Sequence, residues 1–136
     1  MKTPLFLALL LTVGSTFAAD TMKFVSPDKS CALVVDKSGK RDLMELKSGK
    51  RVHRLFYEDL DSIFKPKIAE AFNASLNKVG KIVLPTFTSA SWTTEDEVEI
   101  KGESSVSIND NDEEFTFTAE VSKAGNVKHL TVVPTK

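Results

Sequence analysis

Short apolar runs alternate with turns in the first third of the chain. The runs are Cys31–Val35, Leu43–Leu46 and Val52–Tyr57, and segments rich in glycine and charge separate them. Before the first run, Ser26–Lys29 predicts a turn, because proline presets φ and aspartate can cap its own backbone. Apolar runs of this length joined by short turns are typical of consecutive strands in an antiparallel meander. We therefore predict three such strands.

The middle of the chain has the apolar spacing of a helix. Six residues form one apolar face: Ile68, Ala69, Ala71, Phe72, Leu76 and Val79. Pro66 suits the first helical position, and Gly80 suits the position just after the last turn. The pattern predicts one helix near residues 66–79. Asp59–Phe64 is expected to form, at most, a preceding turn that Pro66 breaks or kinks.

Most of the last third alternates apolar and polar residues with the period of two that a half-buried strand shows. The clearest case is Phe115–Val121, whose odd-numbered residues are expected to face the core. Further strands are predicted at Lys81–Leu84, Glu97–Lys101, Ser105–Ile108 and around Leu130–Val132, with Pro134 ending the last one. The sum is about seven or eight strands and one helix, a mainly β or α+β fold of antiparallel meander sheets.

The N-terminus has the layout of a secretory signal. Lys2 precedes the apolar stretch Leu5–Val13, and Thr16 and Ala18 place small residues where a cut after Ala18 requires them. The stretch is too short for a bilayer span, which needs about 20 residues, although an uncleaved signal anchor is an alternative. We expect residues 1–18 to be a signal peptide. Residues 19–136 then form a single small domain, periplasmic or secreted, without membrane insertion after cleavage.

Net charge, cysteine count and apolar content exclude several classes of protein. The chain has 18 basic and 19 acidic residues and a net charge of −1, which argues against non-specific binding to nucleic acid or anionic membranes. Its single cysteine cannot form an intramolecular disulfide. The apolar content suffices for one small core and not for two domains.

Two stretches resemble blades of β-propellers of the TolB and dipeptidyl-peptidase N-terminal type. Ser26–Val35 is similar to the turn and strand that begin a blade, and Leu43–Val52 is similar to the hairpin that follows. Ser91–Ile100 is similar to a second such start. The resemblance implies meander construction and a binding role. A chain of this length cannot close a ring of at least four blades of about 40 residues each, so we predict no closed propeller.

Candidate catalytic residues are few. Cys31 could act as a nucleophile with His53 or His129 as base, but it begins an apolar run in which cysteine packs as a small hydrophobe. Glu97 and Glu99 could serve glycoside hydrolysis, but their alternation with apolar residues places them on one solvated strand face. We therefore predict no catalytic residue, no cofactor and no enzymatic activity, with a secreted hydrolase as the weaker alternative.

Metal ligands are equally sparse. His53 and His129 have no nearby partner at the spacing that metal sites show. Asn109–Glu114 offers oxygen ligands that suit Ca²⁺, but it lacks the central glycine and the closing glutamate of an EF-hand loop. It lies between two alternating strands and suits a polar hairpin loop, because Asn and Asp tolerate the left-handed region. We predict no metal site, and calcium binding by this loop stays an open alternative.

Charge is segregated along the chain. Seven basic residues lie in the first meander: Lys37, Lys40, Arg41, Lys47, Lys50, Arg51 and Arg54. An acidic stretch lies near the start of the third block: Glu95, Asp96, Glu97, Glu99 and Glu103. Both are commonly solvated surfaces, but opposite charges also dock partners. The predicted binding residues are Lys40, Arg41, Lys50 and Arg51 in the basic cluster and Glu95, Glu97 and Glu99 in the acidic stretch.

The sequence therefore predicts a small exported module that binds a protein partner without catalysis, such as an enzyme inhibitor or an envelope-associated binding protein. The alternative is a structural subunit that self-associates through edge strands or through its two charged regions. Aromatic residues interleaved with the basic cluster, which would stack bases, are absent before Phe56 and Tyr57, so no nucleic-acid partner is expected. Trp92 is expected to be partly buried.

Overall fold

The computed structural model describes residues 20–135, so the predicted signal peptide lies outside the described residues. Two antiparallel sheets of four and five strands and one α-helix make up this range, which confirms the mainly β fold. The elements are β1 (Thr21–Val25), β2 (Ala32–Asp36), β3 (Leu43–Ser48), β4 (Arg51–Arg54), α1 (Leu60–Ala71), β5 (Val79–Ile82), β6 (Thr86–Trp92), β7 (Glu97–Ile108), β8 (Asn111–Ser122) and β9 (Val127–Pro134), with a 3₁₀ turn at Leu76–Lys78.

The small sheet is a meander in which β1, β2, β3 and β4 pair in sequence order. Gly49 has φ of 61° at the first position of the two-residue turn between β3 and β4, where a type II′ turn places glycine. The predicted meander is confirmed, and β1 is a further strand that was not predicted. Within residues 20–135 neither sheet closes into a ring, as expected, and the resemblance to propeller blades stays a prediction.

The large sheet has the order β9-β8-β7, and the other edge of β7 is shared by β5 and β6. β7 and β8 pair along their full length through a two-residue turn of Asn109 and Asp110, with φ of 52° and 67°. Positive φ at both positions is the requirement of a type I′ turn. The predicted loop Asn109–Glu114 is therefore correct only for these two residues, since the other four begin β8.

β7 is one strand where two were predicted. Gly102 was expected to end the first of them, but it lies inside β7. A Cβ atom at this position would overlap the carbonyl oxygen of Thr86 and lie 2.8 Å from Cζ of Phe117. Glycine is therefore needed for the close approach of β6 and of the Phe117 ring, and the strand continues through it.

Two other predicted strands are shifted. The predicted strand Val52–Tyr57 ends at Arg54, because Phe56 has φ of 55° and turns the chain toward α1. The left-handed region costs a non-glycine residue about 1–2 kcal/mol, which burial of the Phe56 ring offsets. β5 begins two residues earlier than the predicted Lys81–Leu84, and β6 was not predicted.

The helix prediction was wrong in its bounds. The helix covers Leu60–Ala71, not 66–79, and Pro66 is an exposed residue in its interior. Proline removes one helical hydrogen bond. The helix nevertheless continues through it because Phe64 and Ile68 are both 0% exposed, and burial of such side chains contributes about 1.5–3 kcal/mol each.

The helix ends at an asparagine instead of the predicted Gly80. Asn73 has φ of 54°, its N–H donates to the carbonyl oxygen of Glu70, and the N–H of Ala74 donates to that of Ala69 at 2.9 Å. This pair of bonds is a Schellman motif, in which asparagine substitutes for the usual glycine. Gly80 lies in β5.

One hydrophobic core joins the two sheets and the helix. Both the small sheet and α1 pack on the inner face of the large sheet. Phe56, Phe64, Phe115 and Phe117 form a cluster with ring centroids 5.1–6.0 Å apart. The predicted core residues of β8 are confirmed, since Phe115, Phe117, Ala119 and Val121 are all buried.

Polar contacts also attach the small sheet to β6. Oδ2 of Asp42 accepts a hydrogen bond from the N–H of Phe87 at 2.7 Å, and Nζ of Lys37 donates to the Phe87 carbonyl oxygen at 3.1 Å. Nε1 of Trp92 donates to the carbonyl oxygen of Phe24 at 2.8 Å, and Trp92 is partly buried as predicted. No helix within residues 20–135 is long and apolar enough to span a bilayer.

Candidate functional site

The inner faces of the two sheets meet in the core, so their outer faces look toward opposite sides of the molecule. The outer face of the small sheet, here called the basic face, has a three-strand row of Thr21, Asp36 and Leu43 at one end and two rows that cross all four strands. These two rows are Val25, Ala32, Lys47 and Val52, and Lys23, Val34, Glu45 and Arg54. Val25 is 48% exposed and Val52 is 53% exposed, so apolar surface lies in water between basic side chains.

Two shallow concavities adjoin the basic face. The first has a volume of about 450 Å³ and an apolar floor. It is lined by Lys23, Val25, Lys29, Ser30, Cys31, Ala32, Val34, Lys47 and Gly49. The second has a volume of about 520 Å³, is more polar and lies beside β4. It is lined by Glu45, Val52, His53, Arg54, Tyr57, Glu58, Asp59 and Gly125.

Arg54 lies in the second row of the basic face and lines the second concavity. Its Cζ lies 5.1 Å from the centre of the Tyr57 ring, and its Nη2 lies 3.9 Å from Oε2 of Glu45. A guanidinium group stacked on an aromatic ring keeps its N–H donors available for a carboxylate or phosphate. The long distance to Glu45 makes that ion pair weak, so Arg54 can contact an external anion.

The β1–β2 turn at one end of the basic face is fixed by Asp28. Its Oδ1 accepts hydrogen bonds from Oγ of Ser26 and from N–H and Oγ of Ser30, and its Oδ2 accepts one from Nζ of Lys123 at 2.7 Å. The Lys123 ammonium, followed by these serine donors, holds the pKa of Asp28 far below its usual range, and the same pair raises the pKa of Lys123. Because Lys123 also lies 3.7 Å from Asp96, this cluster connects turns of both sheets.

The outer face of the large sheet, here called the acidic face, has a different composition. Its rows are Ser91, Glu99, Glu120 and His129; Ser89, Lys101, Thr118 and Thr131; and Thr86, Glu103, Thr116 and Val133. Val133, 51% exposed, is the one apolar residue of these three rows, and Val83, 50% exposed, lines a concavity beside Glu103 and Glu114. Glu99 lies directly opposite Glu120, and like charges in that position destabilise a strand pair.

The predicted basic residues are divided between the two ends of the small sheet. Lys40 and Arg41 lie in the β2–β3 turn, whereas Lys50 and Arg51 lie at the β3–β4 turn. β3 separates the pairs by about 20 Å, at roughly 3.3 Å per residue. Seven basic residues that are close in sequence are thus not one cluster in space.

The predicted acidic residues lie on the other side of the molecule. Glu95 is exposed in the β6–β7 turn, and Glu97 and Glu99 share the outer face of β7. Glu97 is partly neutralised by Lys128, whose Nζ lies 3.1 Å from its Oε2. The fold therefore keeps the predicted acidic and basic residues apart.

Sequence reasoning missed Lys23 and Val25, which complete both rows of the basic face. Both belong to β1, which was not predicted. A signal for it was present, because Thr21–Val25 alternates two inward residues, Met22 and Phe24, with outward ones before the Ser26 turn. Recognising this strand would have placed a lysine and a valine beside the second and third strands.

Cys31 is a core residue in this fold. It is 3% exposed, burial raises the pKa of its thiol, and its N–H donates to Oγ of Ser26. His53 lies on β4, two strands away or about 10 Å at the usual strand spacing, and His129 lies on the outer face of the large sheet. The thiol is therefore protonated at neutral pH and is not placed beside either candidate base.

Within the part of the chain that the structure covers, no three His, Cys, Asp or Glu side chains are grouped to hold a metal ion. Comparison of the chain with protein-family models, with curated protein sequences and with solved structures gave no match.

Proposed function

We propose that the chain is a small exported protein-binding module without catalytic activity, and that it holds an acidic partner on the basic face. The observation that carries this proposal is the mixture on that face. Exposed Val25 and Val52 share a row with Lys47, and Lys23 and Arg54 lie in the adjacent row. Exposed valines beside basic side chains offer a partner both apolar contact and the opposite charge.

The combination of exposed valines and basic side chains would provide both affinity and selectivity for a partner. Exposed ion pairs contribute only about 0.2–1 kcal/mol each, so charge alone would bind weakly. Covering each exposed valine adds about 1 kcal/mol through removal of apolar area from water. The basic side chains then select acidic partners and speed their approach.

The test uses two double charge reversals. Immobilised residues 19–136 would first capture a partner from an envelope extract, and the partner would be identified and purified. Lys23→Glu/Lys47→Glu changes two exposed lysines of the basic face. The matched control, Glu103→Lys/Glu114→Lys, changes two exposed glutamates on the acidic side.

We expect the basic-face variant to weaken binding about tenfold or more, since two attractions become repulsions. Added salt should weaken binding of the unmodified protein and of the control, and it should have a smaller or reversed effect on the basic-face variant. Equal affinities of all three proteins would rule out the basic face as the docking surface.

Self-assembly is the second candidate, and the opposite charges of the two outer faces favour it. Because the faces look in opposite directions, contact between them would be head-to-tail and would propagate into open chains. Such chains should lengthen with concentration in sedimentation experiments. Either charge reversal alone should then dissolve them, whereas a monomer at high concentration would exclude this function.

A further inference from the structure

The first concavity of the basic face lies over the first half of β2. There β2 contributes Ala32 and Val34, while Lys23 lies on β1 beside Val34 and Lys47 lies on β3 beside Ala32. Strands that are two apart in a sheet are separated by about 10 Å, so the two lysines lie on either side of these shorter side chains. The concavity therefore has an apolar floor with a lysine on each of two opposite walls.

A third lysine lines this concavity from the β1–β2 turn. Lys29 has φ of 65°, and its N–H donates to the carbonyl oxygen of Ser26 at 2.9 Å. Glycine and asparagine adopt this left-handed region at lower cost, and residues held in such conformations cluster at active sites and ligand-binding segments. The turn thus keeps a lysine at the rim although its backbone conformation favours another residue type.

The charged side chains that line the concavity all have one sign. The lining includes three lysines and no aspartate, glutamate or histidine. Among residues 20–135, none of these lysines forms an ion pair with a carboxylate. Two carboxylates nearby in the sequence contact other groups, because Oδ2 of Asp28 accepts a hydrogen bond from Nζ of Lys123 at 2.7 Å and Glu45 lines the second concavity beside Arg54. Three positive charges therefore share one concavity that is open to an anion.

The number of lysines favours an anionic group with more than one negative charge. A single carboxylate would neutralise only one of the three, whereas a phosphate monoester carries a charge of about −1.5 to −2 at pH 7 and has three acceptor oxygens. Lysine binds phosphate as a point charge, so no planar guanidinium group is needed. The carbon atoms next to the phosphate would cover Val25 and Val34 on the floor.

We propose that the first concavity binds a phosphorylated side chain of the acidic partner, with its phosphate between Lys23, Lys29 and Lys47. This inference rests on the proposed function and names the group that anchors the partner on the basic face. Nucleic acids and anionic membranes also carry phosphates, but the net charge of −1 disfavours both. A side chain brings one phosphate into the concavity without placing further phosphates near Asp28 and Glu45.

The first test compares two small probes that share a ring and an ester oxyanion but differ in charge. Phenyl phosphate and phenyl sulfate would be titrated into residues 19–136, and binding would be followed by NMR. At about pH 7.5, phenyl phosphate should bind about tenfold more tightly, because its second negative charge interacts with three lysines. At about pH 5 the two affinities should be similar, since the second pKa of a phosphate monoester is about 6.

Two double variants test whether the lysines of this concavity are responsible. Lys23→Gln/Lys47→Gln should weaken binding of phenyl phosphate about tenfold or more, and its circular dichroism spectrum should be unchanged because both lysines are exposed. The matched control, Lys81→Gln/Lys101→Gln, changes two exposed lysines of the large sheet and should bind normally. Equal affinities for the two probes at about pH 7.5, no binding of phenyl phosphate, or an equal loss in both variants would overturn the phosphate site.

Phosphatase treatment of the captured partner separates this inference from the proposed function. Removal of the phosphates should weaken binding to the unmodified protein about tenfold or more and should have little effect on binding to Lys23→Gln/Lys47→Gln. If the treated and untreated partners bind equally but Lys23→Glu/Lys47→Glu weakens both, the basic face binds carboxylates and the inference fails alone. If phenyl phosphate binding depends on the lysines but the charge reversal leaves partner binding unchanged, the phosphate site is supported and the basic-face proposal fails.

Discussion

The basic face and the acidic face are both solvent-facing sides of antiparallel sheets, and they differ more in the sign of their charge than in exposed apolar area. The basic face places exposed valines beside lysines and Arg54, while the acidic face has serine, threonine and glutamate in almost every row. Exposed valines do not distinguish the two sides, because Val133 and Val83 beside the glutamates of the acidic side are as exposed as Val25 and Val52. The sign of the charge does distinguish them, and the strand register is needed to see which charged residues share a face.

The two faces also differ in how they are supported. The large sheet is held by long strand pairs and by the aromatic cluster under α1. The small sheet is attached through its inner residues and through polar contacts such as Asp28–Lys123 and Asp42–Phe87. Changes at these places test whether the two faces depend on each other.

The largest expected loss of stability follows from removal of the Phe64 ring at the centre of the aromatic cluster. Phe64→Ala should lower the free energy of unfolding by about 3–5 kcal/mol, because a fully buried ring is replaced by a cavity. Both faces should unfold in one transition, since one core supports them. Chemical denaturation followed by Trp92 fluorescence and by far-ultraviolet circular dichroism would measure this.

The control for that change is Leu76→Ala, because Leu76 is 56% exposed and its truncation should change stability little. Separate transitions for the two probes in the unmodified protein would contradict a single core. In that case the small sheet would be an independent unit, and the basic face would not depend on the aromatic cluster.

How much of the fold the sequence predicts depends on whether local or long-range interactions determine each element. Local alternation located the core residues of β8, and turn chemistry located the first meander. The helix bounds were wrong because Pro66 was interpreted by its local preference. Packing of Phe64 against Phe56 and Phe117, which come from distant segments, overrides that preference.

The candidate site was harder to predict for the same reason. The basic face is made of rows across four strands, so its membership depends on pairing register and not on sequence proximity. Lys47 and Arg54 were recognised as basic but not as neighbours of Val25 or Val52. Lys40 and Arg41, which are close to them in sequence, lie in a turn at the other end of the sheet from Lys50.

A smaller loss of stability is expected from a change in the β1–β2 turn at one end of the basic face. Asp28→Asn removes the carboxylate that accepts bonds from Lys123 and the serines, so it should destabilise the protein at neutral pH. The pKa of Asp28 is lowered in the folded state. Its contribution is therefore fully present above the unfolded pKa of about 3.8 and is lost as the pH falls toward the folded pKa.

The measurement is the difference in unfolding free energy between Asp28→Asn and the unmodified protein from pH 7 down to pH 2. The difference should be constant above about pH 5 and shrink below pH 4. Asp110→Asn is the matched control, because Asp110 is an exposed residue in a turn of the large sheet. A difference that grows as the pH falls would show that the Asp28 carboxylate does not stabilise this turn.

The smallest effect concerns the like-charge pair of the acidic face. Glu120→Lys would place a lysine opposite Glu99 and replace a repulsion by an attraction, so stability should increase by about 0.2–1 kcal/mol. Glu114→Lys is the control, since Glu114 is exposed and faces Ser105 instead of a carboxylate across the strand pair. Thermal unfolding at low and high salt measures the stability of both variants, and the gain should shrink with salt.

Equal stability of the two variants would mean that water already screens Glu99 from Glu120. A gain confined to Glu120→Lys would show that the acidic face gives up stability to keep Glu99 and Glu120 side by side, whereas the paired positions of the basic face place no like charges opposite each other.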